Sequence, residues 1–377
     1  MSGPYHELSA SVSLEERLAG RGAWLAASVD MRIDKLVEAA ARADKLAIPA
    51  SPADATAMLR RCAAGRLAAP LPGMYADAST WHELPEWRRH IRLMRTLQDR
   101  HPCWTFCSFS AAVAHGLRVP RVGLDRIHIA LPVGSGASSS SSVVRHRLPP
   151  FEWERVCGVA VTTAERTALD CMLGLSFPEA LVVADSLLRL TVLTREEFLA
   201  YVVREARGRH GASVARQAAR FSDARSESGG ESLARARIIE EGFAVPDLQV
   251  EFPDPMGRGA SFRVDFLWEH AGRKVIGEFD GQGKYFEDAH IDGRHGEAPD
   301  RGSGTAAGAA ASGHASFSPR AVLRERRRES RLTAYGIPIV RFSYEDLFAR
   351  GRFAALLDAF GVPRVRRGGS RCNGGSL

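Results

Sequence analysis

The chain has 377 residues, too many for one small core, so two or three domains are expected. Its 45% apolar and 25% charged content is that of a soluble globular protein, which excludes collagen-like and low-complexity classes. A net charge of +7 with a pI near 9.3, carried largely by arginine, favours a polyanionic partner.

Residues 1–30 are polar and rich in Ala and Gly, and read as an extension or as a stretch ahead of a start at Met31. They lack the basic segment and apolar core of a secretory signal. From Met31, the residues Ile33, Leu36, Val37, Ala40 and Ala41 fall at helical spacing. Ser51-Pro52 supplies an N-cap and a first-turn residue for a second helix through Ala53–Ala64, which Gly65 ends. Leu67–Leu71 and Met74–Tyr75 flank the Pro72-Gly73 turn and give a two-stranded wing. Over residues 31–80 this is the layout of a winged helix-turn-helix, with Arg60 and Arg61 as candidate DNA contacts. The plainer alternative is a small helical cap with solvated arginines.

Residues 81–220 predict a mixed α/β domain. Trp87–Leu97 and Ser108–His115 read as helices, Ile127–Leu131 and Val159–Thr162 as short strands. Gly134–Ser142 reads as a flexible loop with nothing to pack. Thr163–Leu173 and Pro178–Leu190 are amphipathic, and Thr163, Arg166 and Asp170 read as a structural ion-pair network rather than a catalytic one. The six cysteines (62, 103, 107, 157, 171 and 372) are too sparse for a disulfide scaffold. Cys103 and Cys107 resemble half a metal site without a second pair, or two half-buried thiols. No run approaches the roughly 20 apolar residues of a membrane span, so a cytoplasmic protein without membrane contact is expected.

Residues 221–365 predict a third domain. Ser228-Gly229-Gly230 leads into a helix, Glu231–Glu241, followed by a strand at Leu248–Phe252. Phe262–Trp268 and Lys274–Phe279 then form a hairpin that places Asp265, Glu278 and Asp280 among residues expected to be buried. Desolvating a carboxylate is costly unless something pairs with it, and a divalent cation with oxygen ligands would be such a partner. Residues 292–319 cannot bury enough apolar surface to order themselves and read as a disordered insertion. Ala321–Tyr335 predicts an Arg-rich helix with Arg324, Arg327, Arg328 and Arg331 on one face. Ile337–Ser343 reads as a buried strand, Phe348–Phe360 as a closing helix, and 366–377 as a basic tail. The fold class is thus α/β (α+β overall), ending in an α/β sandwich around one sheet.

The C-terminal part resembles the PD-(D/E)XK nuclease superfamily, closest to domains related to very-short-patch repair endonucleases. Glu231–Gly242, Val264-Asp265-Phe266, Gly277–Lys284 and Arg324–Arg341 carry the resemblance, which covers about 135 residues. It implies that Glu231, Asp265 and Glu278 converge within about 4–6 Å on Mg²⁺, with Asp265 and Glu278 as the metal-holding pair. Where the superfamily places its lysine, this chain has Asp280; Lys284 and Gln282 lie just downstream as substitutes. Related domains share the Glu-x-Asp-Gly pattern. The alternative is that the acids cap the hairpin and pair with Arg327, Arg328 and Arg331.

The N-terminal part resembles actinobacterial proteins with an AbiEi-type antitoxin N-terminal domain. The likeness rests on Gly65-Arg66-Leu67, Pro72-Gly73-Met74-Tyr75, Ser108–Gly116, Ile127–Pro132 and Thr162–Asp170. It implies a DNA-binding, antitoxin-like transcriptional regulator, with DNA and a cognate toxin as partners and no small-molecule cofactor. Two classes follow: such a regulator with an auxiliary endonuclease-fold domain, or a Mg²⁺-dependent DNA endonuclease targeted by its winged helix.

Overall fold

The computed structural model describes residues 29–253, 261–281, 286–287, 335–349 and 351–365. Their fold is mixed α/β. The chain divides into two compact units, residues 1–106 with 126–161, and residues 107–125 with 162–377.

In the first unit, helix α1 covers 29–42 and α2 covers Pro52–Ala63. Ser51 caps α2 by accepting the Asp54 N–H at 3.1 Å, and Pro52 opens its first turn as expected. Residues 43–50 contain no helix. Instead Ala47 exchanges two backbone hydrogen bonds with Tyr75, at 2.8 and 2.9 Å. Strands β1 (Leu67–Leu71) and β2 (Met74–Asp77) pair antiparallel around Gly73, whose φ of 74° needs a residue without Cβ. Ile33, Ala57, Met58, Leu67 and Tyr75 form the core of this helix–helix–hairpin.

Short α3 (Ala78–Glu83) leads into α4 (Glu86–Arg100). Asp44, in the left-handed region at φ 51°, ties the α1–α2 connection to α4 by salt bridges to Arg92 and Arg95. A five-stranded sheet follows, in the order β6-β5-β3-β8-β7. Its strands are β3 (Thr105–Phe106), β5 (Ile127–Pro132), β6 (Val143–Leu148), β7 (Trp153–Val156) and β8 (Val159–Thr162). The Gly134–Ser142 loop is not the unattached linker its composition predicts. Arg145 donates to the Ser138 carbonyl at 2.8 Å and Arg147 to the Ser135 carbonyl at 3.0 Å, while Ser139 Oγ accepts the Arg145 N–H.

The second unit begins with α5 (Ser108–His115) and β4 (Val119–Pro120) and continues with four helices. These are α6 (Ala164–Met172), α7 (Phe177–Leu190), α8 (Arg195–Glu205) and α9 (Ala212–Phe221). Capping boxes at Ser176/Glu179 and Thr194/Glu197 start α7 and α8. Asp170 accepts from Arg166 and Arg209, both at 2.8 Å, so these residues do form a structural ion-pair network. Cys107 and Cys171 are fully buried, whereas Cys103 is exposed, which leaves no half metal site.

Helix α10 (Gly229–Glu240) then packs on a four-stranded sheet of order β13-β11-β10-β9. Strands β9 (Asp247–Phe252), β10 (Phe262–His270) and β11 (Arg273–Asp280) run as an antiparallel meander, and β13 (Ile339–Ser343) lies parallel to β11. Phe286–Glu287 forms β12, paired with β4. One sheet face packs Phe266, Trp268, Val275 and Phe342 with Leu233 and Ile238; the other gathers Val264, Leu267, Ile276 and Ile339. The closing helix expected over Phe348–Phe360 is shorter, α12 (Arg352–Ala359); a separate short helix, α11 (Tyr344–Phe348), precedes it, and Gly351 between them is left-handed at φ 72°. The expected insertion (292–319) and basic tail (366–377) lie outside the described residues, as does the expected Arg-rich helix up to residue 334. Among the described residues, no helix is long and apolar enough to cross a membrane.

Candidate functional site

The acidic site is assembled around the start of α10. Ser228 caps the helix by accepting the Glu231 N–H at 3.1 Å. Gly230 allows the first turn to approach the sheet, because a Cβ there would stand 2.1 Å from the Phe279 ring and 2.9 Å from the Tyr344 hydroxyl. Glu231 follows, 8% exposed. Its Oε2 accepts the Glu227 N–H at 2.9 Å and the Gln249 amide at 2.8 Å. Burial pushes its carboxyl above the usual range despite those donors, and the nearby charge of Asp265 pushes in the same direction.

Gln249 reaches Glu231 because its backbone is left-handed, φ 54°. Strand alternation breaks there and at Asp265 opposite. Leu248 and Phe266 face the α10 side, whereas Val250 and Val264 face the other. Asp265 is half-buried, and its Oδ2 accepts the Phe279 N–H at 2.9 Å, a side chain replacing a ladder bond. The β10–β11 register runs from His270↔Arg273 up to Phe266↔Gly277.

Glu278 is 7% exposed and lies in register with Arg341 of β13. Gly277 and Phe279 face α10, so alternation turns Glu278 and Asp280 to the opposite side of β11. Asp280 is exposed and in register with Ser343. Glu278 therefore lies on the sheet face opposite α10, the helix that carries Glu231. Among the described residues, no group of three His, Cys, Asp or Glu is placed to hold a metal ion. Glu231 Oε2 already accepts from two N–H groups. Lys284, Arg324, Arg327, Arg328 and Arg331 lie outside the described residues.

A buried ion pair sets the position of α10. Arg235, one turn beyond Glu231, donates from Nη2 to both carboxylate oxygens of Asp185 on α7 at 2.6 Å. Both side chains are nearly inaccessible, and the Asp223 N–H also donates to Asp185. No local pattern signals this pairing, since its members are 50 residues apart.

In the first unit the two candidate DNA contacts part company. Arg60 is exposed on the face of α2 that also shows Ala53, Thr56, Leu59 and Ala63. Arg61 is 5% exposed and holds α2 to α1 through Asp34 at 2.7 Å and Asp30 at 2.9 Å. Its charge is used inside the unit, which removes it from the expected contact surface. A groove of about 660 Å³ beside it is lined by Asp34, Glu38 and Asp77 as well as Arg66, a poor surface for phosphates.

Two curated relatives match part of the chain, both uncharacterized proteins of Mycobacterium tuberculosis, from different strains. Each is 38% identical over 115 residues, which is 30% of this chain and 41% of the relative's length. The chain thus spans less than half of the curated relatives it matches. No family model matches the sequence, and no solved structure matches it.

Proposed function

We propose that the protein is a DNA-binding, antitoxin-like transcriptional regulator whose second unit includes an auxiliary domain of endonuclease type. The observation that carries this reading is the capped α2, with Arg60 on its open face and the β1–β2 hairpin beside it, packed on α1 as in a winged helix. The net charge of +7 supports a polyanionic partner. The partners in this reading are promoter DNA and a cognate toxin. The order of α10, three antiparallel strands and a parallel β13 supports the endonuclease-type likeness of the auxiliary domain. Mg²⁺-dependent cleavage is the weaker reading. It is favoured by the charge of Asp265 acting on Glu231 and by the Phe279 N–H, next to Glu278, donating to Asp265, and disfavoured by the lack of a group of three metal-holding side chains among the described residues.

The test is fluorescence anisotropy of the full chain on duplex DNA from upstream of its own gene, across a salt series. Arg60→Ala is expected to weaken binding several-fold and lower the salt slope by about one phosphate contact. Arg61→Ala is expected to lower the melting temperature first. Unchanged affinity and slope in Arg60→Ala would remove the main support for the regulator. Plasmid nicking in Mg²⁺ or Mn²⁺ that is lost in Asp265→Ala would move the assignment to an endonuclease.

A further inference from the structure

The turn from α4 to β3 in the first unit carries His101 and Trp104, whose rings stack with centroids 3.9 Å apart and planes 10° from parallel. The turn is held from within. Gln98, 7% exposed, donates its amide to the carbonyls of His101, Pro102 and Trp104 at 3.3, 3.1 and 3.2 Å. Its Oε1 accepts the Ala160 N–H at 2.8 Å, and Trp104 N–H closes the turn onto the His101 carbonyl at 2.9 Å. Both rings remain partly exposed on this fixed base.

Cations gather at the same place. Burial first, then the charges of Arg100 and Arg145, hold the His101 imidazole below its usual value. Arg147 follows Arg145 on the same face of β6 by alternation. Arg145 and Arg147 donate to the carbonyls of Ser138, Ser135 and Ala137, at 2.8, 3.0 and 3.2 Å. Those acceptors are neutral, so they fix the guanidinium groups without cancelling their charge. Asp99, the acid beside Arg100 in the chain, is bound by Lys45 at 2.6 Å.

We propose that this face binds single-stranded nucleic acid, with a base stacking on the His101–Trp104 pair and backbone phosphates meeting Arg100, Arg145 and Arg147. A rigid aromatic platform flanked by arginines without an acidic partner among the described residues combines the two elements that single-strand binding needs, a π-face for a base and charge for the backbone. Bases inside a duplex are stacked on each other and cannot use the platform. An acidic peptide would use the charge and leave the rings idle. The surface is separate from the duplex contact proposed for α2, and stands or falls without it.

The test is anisotropy of the full chain with labelled oligothymidylate and oligouridylate of about 20 nucleotides, an abasic chain of equal length, and a duplex. Trp104→Leu is expected to lower single-strand affinity by roughly ten- to a hundredfold, as loss of one stacked base implies, while duplex affinity stays unchanged. Trp104→Phe, which keeps a ring, is expected to retain most of the binding. Arg145→Ala is expected to weaken both base-bearing and abasic chains and to reduce the salt slope. Equal binding of the abasic and base-bearing chains would overturn the proposal, as would Trp104→Leu staying folded by circular dichroism with single-strand affinity within about twofold of wild type. If Arg60→Ala leaves duplex binding intact while Trp104→Leu abolishes single-strand binding, the regulator reading fails and this surface survives.

Discussion

The acids around α10 and the arginines of β6 were placed by opposite rules. Glu231, 8% exposed, accepts from the Glu227 N–H and the Gln249 side-chain amide, and Asp265 accepts from the Phe279 N–H. Among the described residues, the Arg145 and Arg147 guanidinium groups donate to neutral carbonyls, and Arg147 stays exposed. A charge that the fold withdraws from solvent has mainly a structural role, and one left at the surface remains able to attract a ligand. The difference teaches that unusual charge in the sequence does not by itself mark the functional surface.

Three substitutions break or sharpen that contrast. The largest effect is expected from Arg235→Ala, which leaves Asp185 buried and unpaired. A loss of about 3–5 kcal/mol in denaturant unfolding is expected, and a loss under about 1 kcal/mol would mean that the pair does not anchor α10. Next comes Gly230→Ala. The added methyl meets the Phe279 ring, so about 1–3 kcal/mol of destabilisation is expected in thermal melts, and none would contradict the close approach.

The smallest effect is the most diagnostic. The Glu231 carboxyl is raised by burial, so its contribution to stability is complete below its unfolded value near 4.5 and is lost as pH rises through the folded value. Glu231→Gln is therefore expected to melt slightly higher than wild type at neutral pH, with the gain fading towards pH 4. If Mg²⁺ reverses that order, raising the melting point of wild type but not of the variant, Glu231 is a metal ligand and the contrast between the two regions collapses.

Much of the element order was legible, because it is written in local signals. The Ser51-Pro52 start of α2, the Pro72-Gly73 hairpin and the Ser228 cap of α10 all lie where capping and turn chemistry put them. Strands β6 and β7 and helices α8 and α9 were missed. In β6 the sequence VVRHRL shows no apolar alternation, because its arginines serve the preceding loop rather than a core. The break between α11 and α12 did carry a marker, Gly351, through which the expected closing helix ran. In the candidate site, Glu231, Asp265 and Glu278 were identifiable as a group, but not the sides of the sheet from which they emerge. The alternation break at Gln249 has no sequence marker, since glutamine is not a residue that favours the left-handed region. Arg61 had the same chemistry as Arg60 one position earlier, and only helical phase separates the buried from the exposed one.

Gln98 has a consequence for measurement. Its amide group ties the turn bearing His101 and Trp104 to a single backbone hydrogen on Ala160, the first position after Val159 in β8. That hydrogen exchanges with solvent only when Gln98 lets go. The deuterium uptake of Ala160 is therefore a built-in gauge of how often the platform opens, readable without any ligand.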